Sequence, residues 1–222
     1  MTPRNNIDAG RRTADALAHP NPSVRLRAAM AAGSRPDASL AQTLVFRCAV
    51  EPDFYVRDML TWALTRVPSA VTVPLLLDAL GSDATQARSQ ALHTLSKIGD
   101  AAAWPAVAEH LGAEDDEVAR AAWRASVSLV PAGAEETLAT RLSAELGRGG
   151  AEMRRSLSRA LAALGEYGAE ATEAAGRSGD EAVRLHVRDT LALMADPDAA
   201  ADAQVHAARR LRALGPQAAQ GD

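Results

Sequence analysis

Charged and aromatic side chains on this chain recur at four-residue intervals, the spacing that stacks them on one side of a helix. Asp58, Trp62 and Arg66 form one such set, His93 and Lys97 a second, Arg120 and Arg124 a third, and Arg155 and Arg159 a fourth. The chemistry open to these groups is recognition. Guanidinium and ammonium groups bind carboxylates or phosphates, and an exposed indole needs a partner to cover it. Trp62, Arg66, His93, Lys97, Arg120, Arg124, Arg155 and Arg159 are therefore the candidate contact residues.

Catalytic and metal chemistry finds less support. Neither GxxxxGK[ST] nor GxGxxG occurs, there is no HExxH, and GRGG at 147–150 lacks a lysine partner and reads as a junction between elements. The five histidines are scattered singly, a pattern typical of packed or solvated side chains rather than of ligands. Cys48 is the one cysteine, so no internal disulfide can form, and in the apolar run LVFRCAV it reads as buried and inert. The acidic stretches EDDE and ADPD stand where helices begin and read as caps rather than calcium ligands. No cofactor, metal or catalytic residue is expected.

The elements that must position the contact residues follow from composition. Of the 222 residues 47% are hydrophobic but only 3% aromatic, so the core must be built from Ala, Leu and Val, which suits closely approaching helices. An all-α fold is expected. The net charge of −4 counts against a dedicated nucleic-acid binder, although a local basic stripe is compatible with it. No apolar run has the length of a signal peptide or a membrane helix, so the expected compartment is the cytoplasm.

Self-similarity organises the chain. Six segments align on Val24, Val56, Ala87, Val118, Met153 and Val183, at intervals of 32, 31, 31, 35 and 30 residues. From each anchor, positions 0, +4, +7, +8 and +11 are mostly apolar and span one helical face. Asn21, Asp53, Asp115 and Asp180 precede their anchors by three residues, where an N-cap belongs, with Asp83 one place earlier in its unit. The fifth unit has GRGGAEM and no acidic cap there. Other apolar-periodic stretches lie between the segments, so each unit is a helix pair. Pro74 and Pro105, 31 residues apart, read as repeated helix-start prolines.

The unit VTVPLLLDALGSDATQARSQALHTLSKIGD resembles the HEAT-repeat family, particularly its short bacterial, phycobilisome-lyase-like form. Pro74, Leu76, Leu80, Asp83, Arg88, Ala91, Leu95, Ile98, Gly99 and Asp100 carry the likeness. The resemblance implies a single right-handed α-solenoid of about six HEAT-like pairs: roughly 12–34, 36–68, 70–99, 100–131, 133–165 and 166–195, with a capping helix at 197–215. It also implies that the second helix of each pair lines the concave side, which places the candidate contact residues in a basic groove. Acid gathers instead on first helices and turns, as at Glu135, Glu136 and EDDE 114–117.

The arginines just after the anchors, Arg25, Arg57, Arg88, Arg154 and Arg184, are expected to pair with turn carboxylates such as Asp53 or Asp180 and so to stitch units together. Trp123 is a weaker groove candidate, and Trp104 reads as a packing residue. The function expected is that of a non-catalytic scaffold that binds an acidic protein segment or helix. The rival is nucleic-acid binding, with a resemblance to the HEAT-like alkylpurine DNA glycosylases in the residue types Asp58, Trp62 and Arg124.

Overall fold

A computed structural model describes residues 3–177 and 180–196. Among them the structure is all helical, with no strand. The helices come in antiparallel pairs, α1 (Pro3–Leu17) with α2 (Pro22–Ser34), α3 (Ala41–Val50) with α4 (Phe54–Thr65), α5 (Ser69–Leu80) with α6 (Thr85–Ile98), and α7 (Trp104–Ala108) with α8 (Asp116–Leu129). Two further pairs follow, α9 (Glu135–Ser143) with α10 (Ala151–Ala162) and α11 (Glu166–Gly176) with α12 (Glu181–Ala195). The chain forms two compact units, Met1–Ala134 and Glu135–Asp222. The expected capping helix at 197–215 lies outside the described residues.

Four of the six second helices, α2, α4, α8 and α12, begin on a side-chain cap, whereas α6 and α10 have none. Asn21 accepts from the Ser23 amide at 2.8 Å, Asp53 from Val56 at 3.1 Å, and Asp180 from Val183 at 3.0 Å. Asp115 accepts from both Glu117 and Val118, at 2.9 and 3.1 Å. These bonds satisfy amides that the helix itself leaves open. Two expectations are corrected. Asp83 is not the cap of α6: Ala84 occupies the N-cap position and has no side-chain oxygen to offer the first amides. Pro74 is not a helix-start proline: it lies inside α5, where it removes an amide from the ladder, whereas Pro105 does sit in the first turn of α7. Gly99 ends α6 in the left-handed conformation, with φ of 73°, and turns the chain into Asp100.

In the first unit the second helices pack in succession, α2 on α4, α4 on α6 and α6 on α8, while α3 and α5 run along their backs. The anchored apolar faces fill the space between. Val56, Leu60, Ala63, Leu64 and Val67 are all buried, and so are Val118, Ala122, Ala125 and Leu129. Val24 is only half-buried, because α2 has no earlier second helix to cover it. Trp123 is fully buried, and its indole nitrogen donates to the Leu111 carbonyl at 2.8 Å, which removes it as a groove candidate.

Polar side chains stitch neighbouring pairs, though not as expected. Arg25 meets Glu51 through two bonds of 2.7 and 2.6 Å, and its other nitrogen donates to the His19 and Pro20 carbonyls. Arg57 donates to the Glu51 and Pro52 carbonyls, and Arg88 to that of Ser82. The arginine after the anchor thus binds turn carbonyls five or six residues back, at the negative end of the preceding helix. Asp53 and Asp180 serve as caps, and the charge of Asp53 also acts on Arg25. The carboxylate partner is Glu51 instead. Its fully buried side chain also accepts from Arg47 at 3.1 Å and from the Asp53 amide at 3.1 Å. Burial alone would raise the Glu51 pKa, but the bonds from Arg25, the Asp53 amide and Arg47 outweigh it and hold the carboxyl below its usual value.

Removing this carboxylate leaves Arg25 buried without its counter-charge. Glu51→Gln is expected to lower the unfolding free energy by about 3–5 kcal/mol, measured by urea denaturation at neutral pH. Because the Glu51 pKa is depressed on folding, its contribution is complete above the ordinary carboxyl value of 4.5 and fades as pH falls below it. The gap between wild type and variant should therefore close in acid.

Candidate functional site

The second helices of the first unit enclose a cleft of about 430 Å³. Of positions +2, +6 and +10 along α4, α6 and α8, those held by Asp58, Ser89, His93, Lys97, Arg124 and Ser128 line it. Three of the expected contact residues converge there: His93 and Lys97 from α6, and Arg124 from α8. Asp58 from α4 lines the same cleft, as do Phe54 and Glu117. Glu117 accepts from the Ser89 hydroxyl at 2.8 Å, so part of the EDDE acid faces the cleft rather than lying wholly on turns.

Electrostatics inside the cleft can be read from His93. Its imidazole is half-buried, and its pKa is lowered first by burial, then by the charges of Lys97 and Arg124, with Asp58 opposing. Near neutral pH the ring is uncharged, and the cleft presents Lys97, Arg124 and Arg57, the last also bonded to the Glu51 and Pro52 carbonyls, against Asp58 and Glu117. An anionic group placed beside Lys97 and Arg124 would reverse their effect and favour the charged ring.

The remaining candidates are placed differently. Trp62 does not line the cleft. Its ring lies over Gly33 of α2, where an added Cβ would overlap the indole, and 38% of the residue stays exposed. Arg66 is exposed at the C-cap of α4, and Arg120 is half-buried on α8; neither lines the cleft. Arg155 and Arg159 are exposed on α10 of the second unit, where Arg159 borders a separate cavity of about 490 Å³ with Glu166, Leu193 and Met194. Phe54 and Glu117 were missed by the repeat register, yet Phe54 stands four residues before Asp58 and so extends the Asp58–Trp62–Arg66 stripe by one turn.

One constellation has the residue types of a nucleophilic site. On α10 and α12, Ser158 Oγ lies 3.1 Å from His186 Nε2 and 2.8 Å from Thr190 Oγ1. The backbone assigns the tautomer: the Gly147 amide donates to Nδ1 at 3.0 Å, so Nε2 carries the proton and donates to the Arg154 carbonyl at 3.0 Å. A protonated Nε2 cannot accept the serine proton, and Ser158, His186 and Thr190 are all buried. The cluster is structural. It also gives the GRGG junction a task, since Gly147, at φ of 91°, aims its amide at the ring. Cys48 is buried, and burial pushes its pKa up to about 12, which leaves it an inert thiol. No group of residues suited to hold a metal ion occurs among the described residues, and no helix there is long and apolar enough to cross a membrane.

The profile of HEAT repeats matches residues 12–86 and again residues 48–128, which together span more than half of the 222 residues. The chain belongs to the HEAT-repeat family, and its succession of helix pairs is of the α-solenoid class. No curated protein matches it. Among solved structures, an engineered protein from the Northeast Structural Genomics Consortium is similar at 18% identity and a TM-score of 0.46, covering 84% of this chain and 96% of that one. A second engineered protein from the same consortium has 18% identity and a TM-score of 0.44, with coverage of 83% and 98%. A designed armadillo repeat protein has 13% identity and a TM-score of 0.42, with coverage of 82% and 98%.

His186 makes the second unit sensitive to acid. Burial lowers its pKa below the ordinary 6.5, so as pH falls past that value the unfolded chain takes up a proton that the folded ring refuses. Unfolding free energy should drop between about neutral pH and pH 5, with a slope of up to about 1.4 kcal/mol per unit from this group. Denaturation at a series of pH values should find that component missing in His186→Gln. Fluorophosphonate probes should leave Ser158 unlabelled.

Proposed function

We propose that this chain is a non-catalytic interaction module whose first unit binds an acidic protein segment across α4, α6 and α8. The observation that carries the reading is the convergence of His93, Lys97 and Arg124, from two successive second helices, on one open cleft. Membership of a repeat family that presents such helices as a surface supports it. Carboxylates on the partner pair with Lys97 and Arg124, and the neutral His93 ring takes up a proton as they arrive. Arg66 and Arg120 contribute longer-range attraction on the same helices. Arg155 and Arg159 offer the second unit a cationic surface of its own.

Asp58 and Glu117 weigh against nucleic acid as the occupant. A phosphate backbone carries charge at every step and meets these two carboxylates wherever it lies in the cleft. A peptide can place its acidic residues where the cations are and neutral ones elsewhere.

The test uses a fluorescein-labelled amphipathic peptide with Glu and Leu at helical spacing, followed by anisotropy. Wild type should bind it more tightly as pH falls from about 7.5 to about 6, because the complex holds a proton on His93 that the free protein does not. The double variant Lys97→Glu, Arg124→Glu should weaken binding by about tenfold to a hundredfold with unchanged helical content by circular dichroism. Equal affinity of wild type and variant would remove the cleft assignment. Preference for a single-stranded oligonucleotide of equal charge, with a steep salt dependence, would favour the nucleic-acid reading instead.

A further inference from the structure

The aromatic residues of this protein are placed against the usual preference. Seven rings serve 222 residues, yet Phe46, Phe54, Tyr55, Trp62 and Tyr167 are exposed and only Trp123 is fully buried. Trp62 covers Gly33, but the other four rings stand away from the core, and exposed rings are the usual anchors of a contact surface. Phe54 and Tyr55 are the most exposed, at 66% and 72%. They open α4, and their rings meet edge to face with centroids 5.7 Å apart and planes at 78°. Such a contact favours this mutual arrangement of the two rings.

Position makes the pair informative. Phe54 lines the same cleft as Lys97 and Arg124. An occupant that reaches the cations therefore passes the phenyl ring, and one ligand must satisfy both. We infer that the Phe54–Tyr55 pair is an apolar anchor site and that the partner is an acidic segment carrying a bulky aliphatic or aromatic side chain beside its carboxylates. The inference rests on the cleft reading above and adds the element of specificity that charge alone does not supply. Lys97 and Arg124 attract any acidic chain, whereas the ring pair selects those with an apolar side chain in register. Asp58, one turn after Phe54 on α4, reinforces the selection by repelling a carboxylate placed immediately beyond the anchor.

Two peptides of identical charge separate the possibilities: the Glu/Leu peptide used above and a version with every Leu replaced by Ala. Wild type should bind the Leu peptide about tenfold more tightly, and the preference should persist at high salt because apolar contact is not screened. In Phe54→Ala, Tyr55→Ala the Leu peptide should fall to the affinity of the Ala peptide, with the Ala peptide itself unaffected. Both rings are exposed, so the fold should survive, as circular dichroism will report. Equal binding of the two peptides by wild type, with loss of both in the Lys97→Glu, Arg124→Glu variant, overturns the anchor site and leaves the cleft reading standing. Binding of neither peptide by wild type overturns the cleft reading and the anchor with it.

Discussion

Everything in the first unit is arranged around a carboxylate with no exposed surface. Glu51 ends α3, and its two oxygens receive four donors: Arg25 Nη2 and the Asp53 amide on one, Arg25 Nε and Arg47 Nη2 on the other. That fills the acceptor capacity of a carboxylate. Its backbone carbonyl meanwhile accepts from Arg57 at 2.8 Å and from Gln86 at 2.8 Å. A single residue thus touches α2, α3, α4 and α6. Desolvating a charge is costly, and only complete satisfaction offsets the cost. The requirement is geometric: three successive pairs must sit in one register for all six bonds to form. Thr85 with Asp115 and Ser89 with Glu117 continue the same stitching from α6 to α8.

This fixed register lets short-range side-chain spacing become a surface. Within a helix, residues four apart align whatever the tertiary structure does. Across helices, alignment depends on how far each is shifted along its neighbour, and buried polar contacts permit only one shift, whereas an Ala- and Leu-rich interface tolerates several. His93, Lys97 and Arg124 meet because α6 and α8 are held in this way, and Phe54 joins them because Glu51 and the Asp53 cap place the first turn of α4 beside them.

Much of the fold was legible in the sequence, since periodicity and capping are local. The helix pairs, the caps at Asn21, Asp53, Asp115 and Asp180, and the buried faces all follow from spacing within one helix. The failures involve partners distant in the chain or one residue out of register. Glu51 escaped notice because its partner Arg25 is a whole repeat away, and His186 because its donor is a backbone amide 39 residues earlier. Asp83 fails as a cap because Ala84 takes the position. Of the candidate site, the α6 and α8 contributions were visible as a stripe, while Phe54 lay one turn outside the window read. Trp62 shows the limit from the other side: its place in the stripe was right, but Gly33 on the neighbouring helix leaves room for the ring and draws it over α2.

The mixture of signs within the cleft bears on the kind of ligand proposed for it. Lys97 and Arg124 stand among Asp58 and Glu117, all within one cavity of about 430 Å³. With a Debye length of about 8 Å at physiological salt, a ligand in the cleft responds to the charges nearest it more than to the net value. A uniform polyanion gains at Lys97, Arg124 and Arg57, which lines the same cleft, and loses at Asp58 and Glu117. A polypeptide has freedom to vary side chain by side chain, and helical or extended geometry sets its charges at defined intervals. In the proposed complex His93 adds to the contrast, since a carboxylate beside the ring favours its charged form. A cleft of mixed sign with an imidazole inside it and a phenyl ring at its edge therefore fits the proposed polypeptide partner better than a uniform polyanion.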